Sequence, residues 1–282
     1  MNRLLRLVRR GYVEAIAVLA LVVLVLAVVR AVAGSPGWLV AALPWLVAVG
    51  AVAGSKLRVP AHPERVDHAL VAVGATSTLA TALVARSPLP VLVAAAGVAA
   101  LVGYQRWYSR QHVPAAVLEV GRPLPDFPLQ RTDGSPTTSA ELREGAHVIV
   151  FFRGSWCPFC VAQVRAIAED YRELDRLGVR VALISPQRPE DTAELASRFD
   201  VPMAFYVDAD GRAARRLDLV QAGGVPLAFS AGTDGDSVVP TVVITDDDGR
   251  VVWVHHAHDH RVRPEPSTFL EVIEREGIRA TR

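Results

Sequence analysis

The chain has 282 residues, 51% of them hydrophobic and 21% charged, and a formal net charge of +1 at pH 7. That is too apolar for a purely soluble protein. It is also too near charge balance to carry the electrostatic footprint of a nucleic-acid binder.

The apolar excess lies before residue 110. Arg3, Arg6, Arg9 and Arg10 open the chain, and four apolar stretches follow at 13–32, 38–53, 69–85 and 90–104, the second interrupted by Pro44. The first approaches the roughly 20 residues that a spanning helix needs. It is longer than the core of a cleaved signal peptide and more apolar stretches follow it, so it reads as an uncleaved span. Trp38, Tyr104, Trp107 and Tyr108 fall where interfacial aromatic belts form. Basic residues collect at the N-terminus, in the second link (Lys56, Arg58, Arg65) and after the fourth stretch (Arg106, Arg110). The other two links carry only Arg30 and Arg86. The positive-inside rule then places both the N-terminus and everything after the fourth span in the cytoplasm, on a multi-pass cell-membrane protein. Glu14, Asp67 and His68 sit near span ends, where solvated anchors are the ordinary reading, so no ion path is indicated. The region has no cysteine, which excludes a thiol relay through the bilayer. The expected organisation is a transmembrane region over 1–110, a linker over 111–122 and a soluble domain over 123–282, with the lipid bilayer as a partner.

In the soluble part, 121–129 leads into a short strand, and Asp133-Gly134 marks a turn. Thr138-Ser139-Ala140-Glu141 fits a capping box for a short helix. The apolar run 147–152 reads as a buried strand. A helix follows Cys160, with Val161, Val164, Ile167, Ala168 and Tyr171 at helical spacing, and Gly178 stops it. The spacing predicts strands at 179–184, 204–207, 241–245 and 251–255, and helices at 189–199, 210–216 and 265–275. Asp247-Asp248-Gly249 forms the turn of the last hairpin. Strands alternating with helices, then a hairpin and a closing helix, specify an α/β sandwich around a central mixed sheet, preceded by an all-α four-span region. The thioredoxin-like fold has this order.

Between the strand at 147–152 and the helix after it lie Arg153-Gly154-Ser155-Trp156-Cys157-Pro158-Phe159-Cys160, which hold the chain's two cysteines. A strand, a turn, Cys-x-x-Cys and a helix place a thiol at a helix N-terminus, where unpaired N–H groups and the helix dipole favour the thiolate. Pro158 suits the first helical turn. A structural disulfide would gain little from so short a loop. Zinc needs about four ligands, and one Cys-x-x-Cys supplies two. The spacing therefore points to thiol redox chemistry, with no metal and no cofactor. Arg153 is close enough in sequence to assist a thiolate, and a surface arginine is its plain alternative. Four histidines in 255–260 with Asp259 invite a metal reading, against which stands a polar loop after the last strand. Asp126 is a candidate buried acid or an ordinary turn residue.

The segment 151–160 resembles the motif of peroxiredoxin-like members of the alkyl hydroperoxide reductase/thiol-specific antioxidant family. Ile184-Ser185-Pro186-Gln187 and Arg261-Val262-Arg263-Pro264-Glu265-Pro266 resemble two further segments of that family, and Val239-Pro240-Thr241 resembles the cis-proline element of thioredoxin-fold proteins. The likeness covers about 120–273. It implies catalysis by Cys157 and Cys160, supported by Arg153, Trp156, Pro158, Pro240 and Thr241. It implies hydroperoxide or disulfide substrates and a reductant such as thioredoxin or a low-molecular-weight thiol.

The sequence departs from the family pattern Pro-x-x-x-Thr-x-x-Cys. With Cys160 as the attacking thiol, Cys157 takes the Thr position, Arg153 the Pro position, and the family's arginine falls near Val239. With Cys157 attacking, the site is thioredoxin-like, and helix geometry favours this because Cys157 stands at the exposed end. Peroxide reduction, thiol-disulfide exchange and a non-enzymatic membrane redox sensor all use the same two residues. The family likeness favours the first.

Overall fold

A computed structural model of the chain describes residues 3–54, 63–85, 87–112, 114–208, 210–231 and 233–278. Lys56, Arg58 and Arg86, on which part of the orientation argument rests, lie outside them. The chain divides into two compact units, 1–110 with 225–235, and 111–224 with 236–282.

The first unit is helical. After α1 (Arg3–Arg10) come α2 (Tyr12–Val32), α3 (Gly37–Gly54), α4 (Pro63–Val84) and α5 (Pro88–Gly103), which runs on into a π-helical turn at Tyr104–Tyr108. Three helices, Tyr12–Val32, Arg65–Val84 and Pro88–Tyr108, have the length and apolarity to cross a membrane, and Gly37–Val52 is a shorter apolar helix. At about 1.5 Å per residue that shorter stretch reaches roughly 24 Å, under the roughly 30 Å hydrocarbon core. Val18, Leu21, Val25, Leu79, Leu83 and Leu92 point outward and exposed, as lipid-facing positions do. Ser77, Thr78 and Thr81 bond to carbonyls four residues back, at 2.8, 2.9 and 2.8 Å, so their hydroxyls are satisfied within α4. A Cβ on Gly97 would stand 2.9 Å from Trp45 Cδ1 and 3.0 Å from Pro44 Cβ, so glycine lets α5 pack closely on α3. Trp45 Nε1 donates to Val93 O at 2.9 Å across the same contact.

The second unit is built on a seven-stranded sheet. Its elements, in chain order, are β1 (Pro128–Arg131), β2 (Pro136–Thr138), a 3-10 turn (Ser139–Arg143), β3 (His147–Phe151), α6 (Pro158–Glu169), α7 (Tyr171–Arg176), β4 (Arg180–Ser185), α8 (Pro189–Ala196), β5 (Ala204–Val207), α9 (Arg212–Arg216), β6 (Val220–Gln221), β7 (Ser237–Val238), β8 (Thr241–Thr245), β9 (Val251–His256) and α10 (Pro266–Arg275). The strand order is β2-β1-β5-β4-β3-β8-β9, with β6 and β7 paired separately. β3, β4 and β5 run parallel, and β8 is antiparallel to β3 and to β9. The core β4-β3-β8-β9, with α6 and α10, is the thioredoxin-like arrangement.

β3 is buried on both faces, which is why it reads as a continuous apolar run. Val148, Val150 and Phe152 enter one core with residues of α6, α7 and α10. Ile149 and Phe151, on the alternate face, join Phe127, Leu142 and Leu217. Asp126 is exposed and pairs with Arg143 at 2.6 Å, so it is a turn residue and not a buried acid. Residues around 111–122 bond onto this unit, with Gln111 N–H on His258 O (2.9 Å) and Gly121 N–H on Val251 O (2.7 Å).

Local boundaries depart from the sequence reading where tertiary contacts intervene. The helix after the cysteines starts at Pro158 and breaks at Asp170, so Tyr171 opens a second helix. Thr138 caps its turn by accepting Ala140 N–H at 3.3 Å. Glu141 does not complete the box, because its carboxylate takes the hydroxyls of Thr137 (2.6 Å) and Tyr206 (3.2 Å). The two-residue strands β6 and β7 are too short to carry a periodic signal.

Candidate active site

The functional loop leaves β3 at the end of the sheet where β8 begins, since Phe151 pairs with Thr241. Pro240 and Thr241 thus reach the same end as the cysteine motif. Every peptide bond among the described residues is trans, Val239–Pro240 included, which corrects the cis-proline expectation. The link between β7 and β8 is held by Val239 N–H on Leu219 O (2.6 Å) and Ala257 N–H on Pro240 O (2.9 Å).

Arg153 to Trp156 form a tight turn that delivers Cys157 as the N-cap of α6, with Pro158 in its first turn. Gly154 has φ +141°, and a Cβ there would meet Trp156 Nε1 at 2.7 Å and Gln187 Oε1 at 2.9 Å. The turn therefore requires glycine twice over, by backbone conformation and by space. Gln187 latches it: its Oε1 accepts Ser155 N–H at 2.7 Å, and its Nε2 donates to Thr192 Oγ1 at 3.1 Å.

Both cysteines are free thiols and both are buried, Cys157 at 1% exposure and Cys160 at 0%. Cys157 is thus not the exposed end that helix geometry alone suggested, because Trp156 and the sheet-face core cover it. The charge-stabilising groups converge on the other thiol. Arg153 N–H donates to Cys160 Sγ at 3.4 Å, and Arg263 Nη2 lies 3.8 Å from the same sulfur. Burial by itself would raise the Cys160 thiol. The hydrogen bond from Cys157, the Arg263 and Arg153 guanidiniums and the Arg153 N–H outweigh burial and hold it well below the ordinary thiol value. Cys157 moves the opposite way: burial raises it first, and its hydrogen bond to Cys160 and that sulfur's charge raise it further. The surroundings thus split the pair, pushing the Cys160 thiol down and the Cys157 thiol up.

Arg153 is 4% exposed, which overturns the surface-arginine alternative. Its guanidinium stacks 4.7 Å from the Trp156 ring centre and donates to the Gly224 carbonyl. Pro158 serves as the first helical residue. Thr241 Oγ1 bonds to Val239 O at 3.1 Å and to His256 Nδ1 at 2.9 Å, a structural role at the sheet end.

Two site residues carried no role in the sequence reading. Arg263 and Gln187 lie in the segments that carried the family resemblance, yet no local spacing marks either as part of the site. Arg263 stands 103 residues from the sulfur it approaches. The family's arginine position near Val239 is empty of charge, and the guanidinium arrives instead from the loop before α10.

The histidines of 255–260 do not converge. His255 stacks on Trp253 at 5.8 Å, His256 faces Thr241 from the other side of β9, and His260 sits 3.5 Å from Gln111 and edge-on to Phe159. Among the described residues no group of three or more His, Cys, Asp or Glu is placed to hold a metal ion.

Residues 120–254 match the AhpC/TSA family. The chain is 30% identical to nucleoredoxin of Bos taurus over 128 residues, 44% of this chain and 26% of that protein. It therefore spans about a quarter of the nucleoredoxins it matches. It is 24% identical to the thiol-disulfide oxidoreductase ResA of Halalkalibacterium halodurans over 55% of this chain and 77% of that one. Among solved structures it is similar to the peroxidoxin BcpB of Mycobacterium tuberculosis, with 20% identity and a TM-score of 0.45 over 56% of this chain and 97% of that one. The cysteine pair lies within the part of the chain that matches the AhpC/TSA family.

Proposed function

We propose that the protein is a membrane-anchored, thiol-dependent peroxidase in which Cys160 attacks and Cys157 resolves. The observation that carries this reading is the convergence of Arg153 N–H and the Arg263 guanidinium on Cys160 Sγ. The Cys160 thiolate attacks one oxygen of a hydroperoxide, the O–O bond breaks, and the other oxygen leaves as an alcohol after taking a proton. Cys160 is then a sulfenic acid. The Cys157 sulfur attacks it, the Cys157–Cys160 disulfide forms, and water leaves. An external dithiol, thioredoxin or a low-molecular-weight thiol returns two electrons and two protons.

The membrane part of this reading rests on the apolar helices. Arg9 Nη2 donates to Tyr108 O at 2.7 Å and to Arg110 O at 2.6 Å. The start of α2 and the end of the last apolar helix thus share one end of the bundle, which supports an even number of crossings and the participation of α3. With Arg3, Arg6, Arg9, Arg10, Arg106 and Arg110 at that end, the positive-inside rule favours a cytoplasmic redox domain. The cysteine pair there would rest reduced.

The test is stopped-flow oxidation of the reduced full-length protein by hydrogen peroxide and by an organic hydroperoxide, followed by tryptophan fluorescence. Oxidation much faster than that of a free thiol, abolished by Cys160→Ser, is expected. A rate no greater than a free thiol's rejects the peroxidase. The second reading, disulfide exchange, is favoured by the Cys-x-x-Cys at the N-terminus of α6 and by the likeness to ResA. Rapid reduction of a protein disulfide with slow peroxide turnover would identify it.

A further inference from the structure

We infer that α1 and the segment 225–235 together form a bilayer-surface site that binds anionic phospholipid headgroups. The inference rests on the membrane-spanning reading of the helices above. At about 100° per residue, Leu4, Leu5, Leu7 and Val8 fall on one side of α1 and its four arginines on the other. The apolar side is uncovered, with Leu4 65%, Leu5 46%, Leu7 56% and Val8 47% exposed. An amphipathic basic helix of this kind lies in a membrane interface with its apolar face among the acyl chains and its cations at the phosphates.

The position of α1 supports this. A single residue, Gly11, separates it from α2, a helix long and apolar enough to span. The level where α2 begins carries an aromatic cluster: Tyr12 lies 5.3 Å from Trp107 and 5.7 Å from Tyr108, ring centre to ring centre. Such clusters mark the headgroup level.

The segment 225–235 reaches the same level. Val225 N–H bonds to Gly235 O at 3.0 Å, closing it into a loop with a 3-10 turn at Leu227–Phe229. Ala228 N–H donates to Glu14 Oε1 at 3.0 Å, in the first turn of α2, and Leu227 Cδ1 lies within 3.2 Å of where a Cβ on Gly11 would stand. Leu227 and Phe229, 48% and 49% exposed, are therefore held beside the turn where the chain enters the apolar bundle. Large apolar side chains fixed at that depth are stable against lipid and costly against water. The arginines of α1 select the lipid: exposed Arg3 and Arg6 complement acidic headgroups and find no such partner on a zwitterionic surface.

The experiment uses the full chain with Cys157→Ser and Cys160→Ser, a single new cysteine carrying an environment-sensitive fluorophore, and nanodiscs of phosphatidylcholine with or without phosphatidylglycerol. Labels go at Leu5→Cys, at Phe229→Cys and, as the reference for the spans, at Val25→Cys. Nitroxides are placed on the lipid either near the headgroup or deep in the chain. The expected result is shallow quenching at positions 5 and 229, about twofold or more over deep quenching and stronger with phosphatidylglycerol, and deep quenching at 25. Arg3→Gln with Arg6→Gln should remove the phosphatidylglycerol dependence and leave position 25 unchanged. Labels at 5 and 229 that stay unquenched while 25 is quenched overturn this inference and leave the spans standing. A dry but unquenched label at 229 means that protein covers the loop, which also overturns it. An unquenched label at 25 overturns the spanning reading and this inference with it.

Discussion

At the residue scale, the central fact is an asymmetry between two neighbouring thiols. Cys157 occupies the N-cap, the position that ordinarily favours a thiolate. Yet it is the Cys160 thiol that is pushed down, because Arg153 N–H and Arg263 reach its sulfur. Arg263→Gln should raise the Cys160 thiol back toward the ordinary value of 9.0. Alkylation by iodoacetamide, followed against pH, would report it: the wild-type rate persists as pH falls below 9.0, and the variant's rate drops at higher pH. A charged hydrogen bond contributes about 1.5–3 kcal/mol, so the peroxide rate constant should fall by roughly 10- to 100-fold. Cys157→Ser should stop the reaction at the sulfenic acid, which dimedone would trap on Cys160 and mass spectrometry would locate. Absence of the adduct from Cys160 would reject it as the attacking thiol.

At the element scale, the turn between β3 and α6 is the device that sets the thiols. Its geometry depends on Gly154 at φ +141° and on the Gln187 side chain that accepts Ser155 N–H. Gly154→Ala adds backbone strain and a clash with Trp156, costing about 1–3 kcal/mol. A lowered denaturant midpoint together with altered Trp156 fluorescence would show it. Gln187→Ala leaves the core intact and frees the turn. It should speed alkylation of the buried thiols, because access then needs a smaller opening, and should slow peroxide reduction. Equal slowing of both reactions would reject the latch. Gln187 could be read from the sequence as part of a family-like segment, but not as a latch, since its partner lies 32 residues away.

At the scale of the whole molecule, the histidines tie stability to pH. His147, His255 and His256 are all depressed below the ordinary value of 6.5, each chiefly by burial. For His255 the Arg263 charge adds to this. A depressed histidine binds its proton more readily unfolded than folded. Stability is therefore full above about pH 6.5 and declines as pH falls toward the folded-state values. Thermal unfolding of the redox domain within the full chain should show a transition that drops between pH 7 and pH 5. His147→Gln should flatten part of that slope, and an unchanged slope in all three single variants would reject this account.

Much of this protein is legible in one dimension. Apolar runs of near-spanning length, the short continuous apolar run of β3 and the strand–turn–helix around Cys157 and Cys160 are local patterns, and local patterns are set by backbone geometry and side-chain period. They determined the order of elements, the thioredoxin-like sheet and the cysteine pair. Tertiary structure alone decided which thiol is pushed down, that Arg153 is buried, that Arg263 reaches the Cys160 sulfur and that 225–235 joins the helical unit. Each of these depends on groups brought together across long stretches of chain, 71 residues for Arg153 and Gly224 and 103 for Arg263 and Cys160. Such contacts arise only when the whole sheet closes, and no spacing along the chain encodes them.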